Sequence, residues 1–202
     1  MKRSHIIFLT VFFVLIADQA FKVWIKTNMF LGQEFPVFGN WFLIHFTENE
    51  GMAFGLAFGG GYGKLALSIF RILAVILIAW YLIRLTRTPS HRGLVFSVSL
   101  IFVGALGNII DSAIYGLIFS ESSFHSIARF MPAEGGYGSF LHGKVVDMLY
   151  FPVISGHYPD WFPIKGGDTF IFFRPVFNLA DSAITTGVII LIVFQKRFFK
   201  KD

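Results

Sequence analysis

The chain has no cysteine and little charge: of its 202 residues 17 are basic and 12 acidic, so charged residues make up 14%. Without thiols neither a disulfide framework nor a thiolate metal site can form, and the redox compartment stays undetermined. The six histidines, at 5, 45, 91, 125, 142 and 157, show no HExxH-type spacing, which weakens any metal reading. No Gly-x-Ser-x-Gly turn supports serine chemistry. The net charge of +5 and pI near 9.6 do not point to nucleic acid, because the basic residues flank apolar segments and form no patch interleaved with soluble structure. The glycine run at 59–63 lacks the Gly-Lys-Ser/Thr ending of a phosphate loop and reads as a flexible hinge.

What the chain has in quantity is apolar surface. Hydrophobic residues make up 55%, 27 residues are Phe, and the mean hydropathy is +0.67. That balance belongs to an integral membrane protein, and the length to a single domain over 1–202. Four spans are expected, at about 5–23, 65–85, 94–111 and 180–197. The first sits behind Lys2-Arg3 like a signal peptide, but it meets Asp18, Gln19 and Lys22 instead of a small-residue cleavage site, so it is expected to be retained. Basic residues beside the spans (Lys2, Arg3, Arg84, Arg87, Arg92, Lys196, Arg197, Lys200, Lys201) predict both termini in the cytoplasm and outer segments at 24–64 and 112–179. Within 33–63, apolar alternation broken by turn residues predicts short strands. An amphipathic helix around Phe124–Met131 is expected to lie along the outer membrane face. Arg71, inside the second span, is expected to snorkel, with facing the bundle as the alternative.

Four carboxylates stand against apolar surroundings: Asp18 in IADQAFK, Asp111 in GALGNIIDS, Asp147 in KVVDMLYF and Asp181 in FNLAD. The predicted topology puts all four on one side of the membrane, whereas independent helix caps would be spread over both faces. Asp18 and Lys22 are four apart and can pair on one helical face. Asn108 with Asp111, and Asn178 with Asp181, repeat an Asn-x-x-Asp spacing that puts amide and carboxylate on one side of a helix, although Asn178 also suits a helix N-cap. Two carboxylates in a poorly solvated site share one proton, so one can activate water while the other polarises a carbonyl. A proton-coupled transporter using the same acids, and a non-catalytic membrane assembly factor, are the alternatives from other classes.

Taken together, these motifs resemble the lipoprotein signal peptidases, the membrane aspartyl proteases also called signal peptidase II. Asp18 with Lys22, NEGMAF at 49–54, GALGNIID at 104–111, VVDM at 145–148 and FNLAD at 177–181 match the family's five motifs in order. The resemblance implies an all-α membrane protein with a small β element: four transmembrane helices, an outer β-cradle and a peripheral outer amphipathic helix. It implies an enzyme of the bacterial cytoplasmic (inner) membrane, with its active site near the outer face, that cleaves diacylglyceryl-modified prolipoproteins before the lipidated cysteine. The catalytic pair carries over to Asp147 and Asp181, with Asn49, Gly51, Asn108, Asp111 and Asn178 supporting the pair and the substrate, and Asp18 and Lys22 supporting the first span. No cofactor or metal is implied; membrane lipids and globomycin-type inhibitors are implied partners, and a monomer is expected. Two departures stand out. Ser112 follows Asp111 where the family usually has Arg, so Arg174 or Arg129 is expected to supply the missing charge. The loops at 117–143 and 152–172 are longer than the family's usual ones, and as outer loops they leave the active-site core intact.

Overall fold

A computed structural model describes residues 2–50, 60–157, 159–161, 163, 167–172 and 175–199. Three helices are long and apolar enough to cross a membrane: α1 (Arg3–Asn28), α2 (Gly60–Arg87, apolar from Gly63) and α3 (Arg92–Ile110), which runs on through a π-helical turn (Asp111–Tyr115) into the short α4 (Gly116–Ile118). Their outward faces carry large apolar side chains such as Phe8, Phe70 and Leu77, the side chains a lipid environment accommodates. The fourth expected span is α5 (Leu179–Val193), whose 15 residues rise about 22 Å and fall short of a ~30 Å hydrocarbon core. It is followed at Phe194 by the one-turn helix α6 (Gln195–Phe198).

Helix packing is closest between α3 and α5, and small residues make it so. A Cβ at Gly104 would lie 2.2 Å from the Ala180 carbonyl oxygen, and one at Gly107 would lie 2.8 Å from Asp18 Oδ2. Where lipid supplies no hydrophobic force between helices, this backbone approach is what brings polar groups on α1, α3 and α5 into contact.

At one end of the bundle sits an antiparallel sheet in the order β1 (Glu34–Phe38), β2 (Phe42–Asn49), β3 (Val145–Tyr150), β6 (Val176–Phe177). The β2–β3 register sets Asn49 opposite Val145 and Thr47 opposite Asp147. Ile25, Met29, Ile44, Phe46, Tyr115, Val146 and Met148 form the core that fixes the sheet to the ends of α1 and α3. The sheet exposes Phe38 (60%) and Trp41 (55%) in an aromatic layer, in which Phe38 stacks on Trp41 and Phe42, Phe42 on Phe151, and Phe151 on Phe177. A separate hairpin, β4 (Ile154–His157) and β5 (Thr169–Phe172), occupies the second long loop.

Several expectations need correction. Residues 121–130 form no helix: Ser123 Oγ accepts from the backbone N–H groups of His125 and Ser126, and such local hydroxyl bonds compete with a helical ladder. The glycine run is no hinge from Gly60 onward, because α2 begins there. The first helix continues five residues past the expected end at 23, so Asp18 and Lys22 both lie well within it. The strands expected within 33–63 are present at 34–38 and 42–49, while 51–59 lie outside the described residues.

Candidate active site

The polar stripe on α1 begins the site. Asp18, Lys22 and Lys26 follow one another at four-residue spacing and are all buried, at 1%, 0% and 0% exposure. Lys22 Nζ lies 2.9 Å from Asp18 Oδ2 and 2.8 Å from Asp111 Oδ2, and donates to Asn108 Oδ1 at 3.0 Å. Gln19 Nε2 donates to Asp111 Oδ1 at 3.0 Å and to Asp18 Oδ2 at 3.1 Å, while Gln19 Oε1 accepts from Tyr115 Oη. Asp18 Oδ1 accepts from the Ala180 N–H at 2.9 Å, which ties α1 to the start of α5. The charge expected to be missing beside Asp111 is therefore supplied by Lys22. Arg129 does not supply it, since it is exposed and paired with Glu134 at 3.3 Å; Arg174 and Gly51 lie outside the described residues.

Two amides join the remaining carboxylates. Asn178 caps α5 by accepting from the Asp181 N–H at 2.8 Å, so its role as a cap is real. Its Nδ2 also donates to Asp147 Oδ1 at 2.7 Å and to Asn108 Oδ1 at 3.1 Å. Asn108 Nδ2 in turn donates to Asp181 Oδ1 at 2.8 Å. The bridge thus runs Asp147, Asn178, Asn108, Asp181, with Lys22 attached through Asn108. Asp147 Oδ2 receives a longer contact of 3.4 Å from Asn49 Nδ2 on the neighbouring strand.

Asp147 is 3% exposed. Burial, reinforced by the negative charge of Asp181, pushes its carboxyl up to about 7 against the opposing pull of Asn178, Lys22 and Asn49. The loop that delivers Asp147 is seated on the π-helical turn: Gly143 N–H donates to the Ser112 carbonyl oxygen at 2.8 Å, and a Cβ at Gly143 would stand 2.1 Å from the Asp111 carbonyl oxygen. A π-turn widens the helix and frees carbonyls for such a contact.

Four further residues brace the site, and the sequence reading gave none of them a site role. Lys26 Nζ pairs with Glu48, beside Asn49, bonds Ser122 Oγ at 2.8 Å and stands 4.9 Å over the Tyr137 ring. This anchors β2 and the 117–143 loop to α1. The signal was available, since Lys26 extends the spacing of 18 and 22 along a membrane helix. On α2, Lys64 pairs with Glu50 and donates to the His142 carbonyl at 2.8 Å, and Ser68 Oγ donates to the Leu141 carbonyl at 3.4 Å. Arg71 continues the face of 64 and 68, and the charges of Asp181 and, more weakly, Asp147 act on its guanidinium. It faces the carboxylate pair, not the lipid where snorkelling would take it. Among the described residues, no group of three or more His, Asp or Glu side chains is placed to hold a metal.

A family model described as signal peptidase (SPase) II matches residues 10–197. The chain belongs to the signal peptidase II family. It is 50% identical over 185 residues to a lipoprotein signal peptidase of Porphyromonas gingivalis, covering 91% of this chain and 80% of the relative. Identity is 42% to a lipoprotein signal peptidase of Amoebophilus asiaticus, over 90% of this chain and 73% of the relative. Among solved structures, a bacterial membrane enzyme determined by the in meso method superposes with a TM-score of 0.62 at 26% identity, covering 97% of this chain and 92% of that one. Membership of the signal peptidase II family makes the protein a membrane protease, and the transporter alternative finds no support in these matches.

Proposed function

We propose that the protein is an aspartyl endopeptidase that removes signal peptides from diacylglyceryl-modified prolipoproteins by cleaving before the lipidated cysteine, with Asp147 and Asp181 as its catalytic pair. The observation that carries this reading is the amide bridge between two carboxylates, one of them buried enough to hold a proton near neutral pH. The ionised Asp181 takes a proton from water as the water oxygen bonds to the scissile carbonyl carbon, and Asp147 gives its proton to the carbonyl oxygen. Asp181 then passes its proton to the cysteine nitrogen as the C–N bond breaks, and collapse of the tetrahedral carbon to the carboxylic acid returns a proton to Asp147. Asn178 and Asn108 hold the two carboxylates in position, Asn49 contacts Asp147, and Arg71 stabilises the negative charge of the pair.

The same reading places the enzyme in the bacterial cytoplasmic membrane, as a monomer with both termini in the cytoplasm and the catalytic pair near the outer face. Prolipoprotein and enzyme then meet in one plane, which replaces a three-dimensional search by a two-dimensional one. The aromatic layer of Phe38, Trp41 and Phe151 is suited to rest at the membrane interface. Globomycin-type peptides would occupy the groove of the substrate. The test is cleavage of a diacylglyceryl prolipoprotein by the purified enzyme: Asp147→Asn and Asp181→Asn should each abolish product while the protein remains folded. Normal turnover by either variant would sink the assignment of the pair.

A further inference from the structure

The end of the molecule away from the carboxylate pair contains a second organised feature that proteolysis does not use. A cavity of about 570 Å³ opens where α1 and α3 begin, and Lys2, Arg3, His5 and Arg92 line it. Arg3 Nε donates to the Ser90 carbonyl oxygen at 2.8 Å, which fixes that guanidinium at the cavity wall. Neither helix carries an acidic residue in its first turn, so the positive end of each helix dipole adds to three permanent cations.

Beside it lies a cavity of opposite character. This groove of about 480 Å³ starts at Ser4, between two residues of the basic cavity in sequence, and follows one face of α1 past Ile7, Phe8, Val11 and Phe12 to Leu15, with Thr86 of α2 and Phe102 of α3 completing its lining. From Ser4 to Leu15 the helix rises about 16 Å, half of a ~30 Å hydrocarbon core and hence the depth of one leaflet. A basic cavity whose Arg3 and His5 flank the first residue of an apolar groove one leaflet deep matches a ligand with an anionic head covalently tied to an acyl chain.

We propose that these two cavities form one binding site for an anionic glycerophospholipid, with the phosphate held by Lys2, Arg3, His5 and Arg92 and an acyl chain lying in the groove along α1. The charge of the basic cavity decides the occupant: a zwitterionic lipid offers the same chain, but its cationic head group would meet like charge there.

The site is tested on the full-length enzyme purified in detergent, by native mass spectrometry of retained lipid and by the thermal unfolding midpoint. Three probes are compared: phosphatidylglycerol, phosphatidylcholine and glycerol 3-phosphate. Phosphatidylglycerol should be retained and should raise the midpoint, with the other two falling well short. Neutralising Lys2, Arg3 and Arg92 to Gln should erase the preference by about fivefold per cation; should the triple variant fail to insert, Arg92→Gln alone should show one such step. Val11→Trp, which fills the groove and leaves every charge in place, should also reduce retention. Equal binding of phosphatidylcholine, an undiminished preference in the neutralised variants, or a response to glycerol 3-phosphate as large as that to phosphatidylglycerol would each overturn the lipid site, the last by showing a site for a free anion.

Discussion

Two pairs of aspartates, all buried but the half-buried Asp181, share this bundle, and the group between the members of each pair sets the pairs apart. Asp18 and Asp111 have an ammonium in the middle: Lys22 reaches both at under 3 Å, and Gln19 spans them as well. Asp147 and Asp181 have two amides in the middle, which orient the carboxylates but carry no charge. An ammonium between two carboxylates compensates their charge and ties them together structurally, whereas amides orient carboxylates and leave their charge uncompensated. Asn108 belongs to both, taking a bond from Lys22 and giving one to Asp181, so the lysine-held pair is the platform on which the proposed catalytic pair is aligned.

That contrast can be broken at either pair. Converting Asp147 or Asp181 to Asn should remove turnover by roughly 10²–10⁴-fold, the usual worth of a positioned acid or base, with little loss of folded protein; single-turnover cleavage of a prolipoprotein measures it. Removing the ammonium acts the other way. Lys22→Met leaves two buried carboxylates without their counter-ion and should cost about 3–5 kcal/mol of stability, read from unfolding in mixed micelles.

A pH series sharpens the comparison further. Asp147 is raised from the ordinary carboxylate range to about 7, so the folded state binds that proton more tightly than the unfolded chain. Its contribution to stability is fully present below pH ~4 and is lost as pH rises through about 7, with an upper bound of about 4 kcal/mol. The unfolding midpoint of the native enzyme should therefore fall between pH 5 and pH 8 by an increment that Asp147→Asn lacks, and cleavage should decline above about pH 7 as Asp147 loses its proton. The smallest effect is expected at Arg71. Arg71→Gln should lower kcat/KM about tenfold, or ~1.4 kcal/mol of barrier, with Arg71→Lys recovering most of it. A half-buried arginine of purely structural value would change the unfolding midpoint and leave kcat/KM per folded molecule unaltered.

Some of this was legible along the chain because it depends on local spacing. Apolar runs of bilayer length located the long helices, the alternation after Gln33 located β1 and β2, and repeated Asn-x-x-Asp pairs singled out Asn108, Asp111, Asn178 and Asp181. Lys22 opposite Asp18 follows from a four-residue helical step. The irregular course of 121–130 was not legible, because serine hydroxyls that turn back on their own backbone outweigh an amphipathic pattern.

The sequence by itself determined that this is a membrane protein with its polar residues gathered into a few motifs, since hydropathy and helical periodicity are properties of neighbouring residues. Only the tertiary structure decided that Asp111 shares the lysine of Asp18 while Asp147 and Asp181 meet amides. That choice rests on contacts between residues far apart in the chain, such as Asn178 with Asp147 and Asn108 with Asp181, made possible by the close backbone approach at Gly104, Gly107 and Gly143. The charge of a carboxylate is compensated or left uncompensated according to which partner the packing brings within about 3 Å.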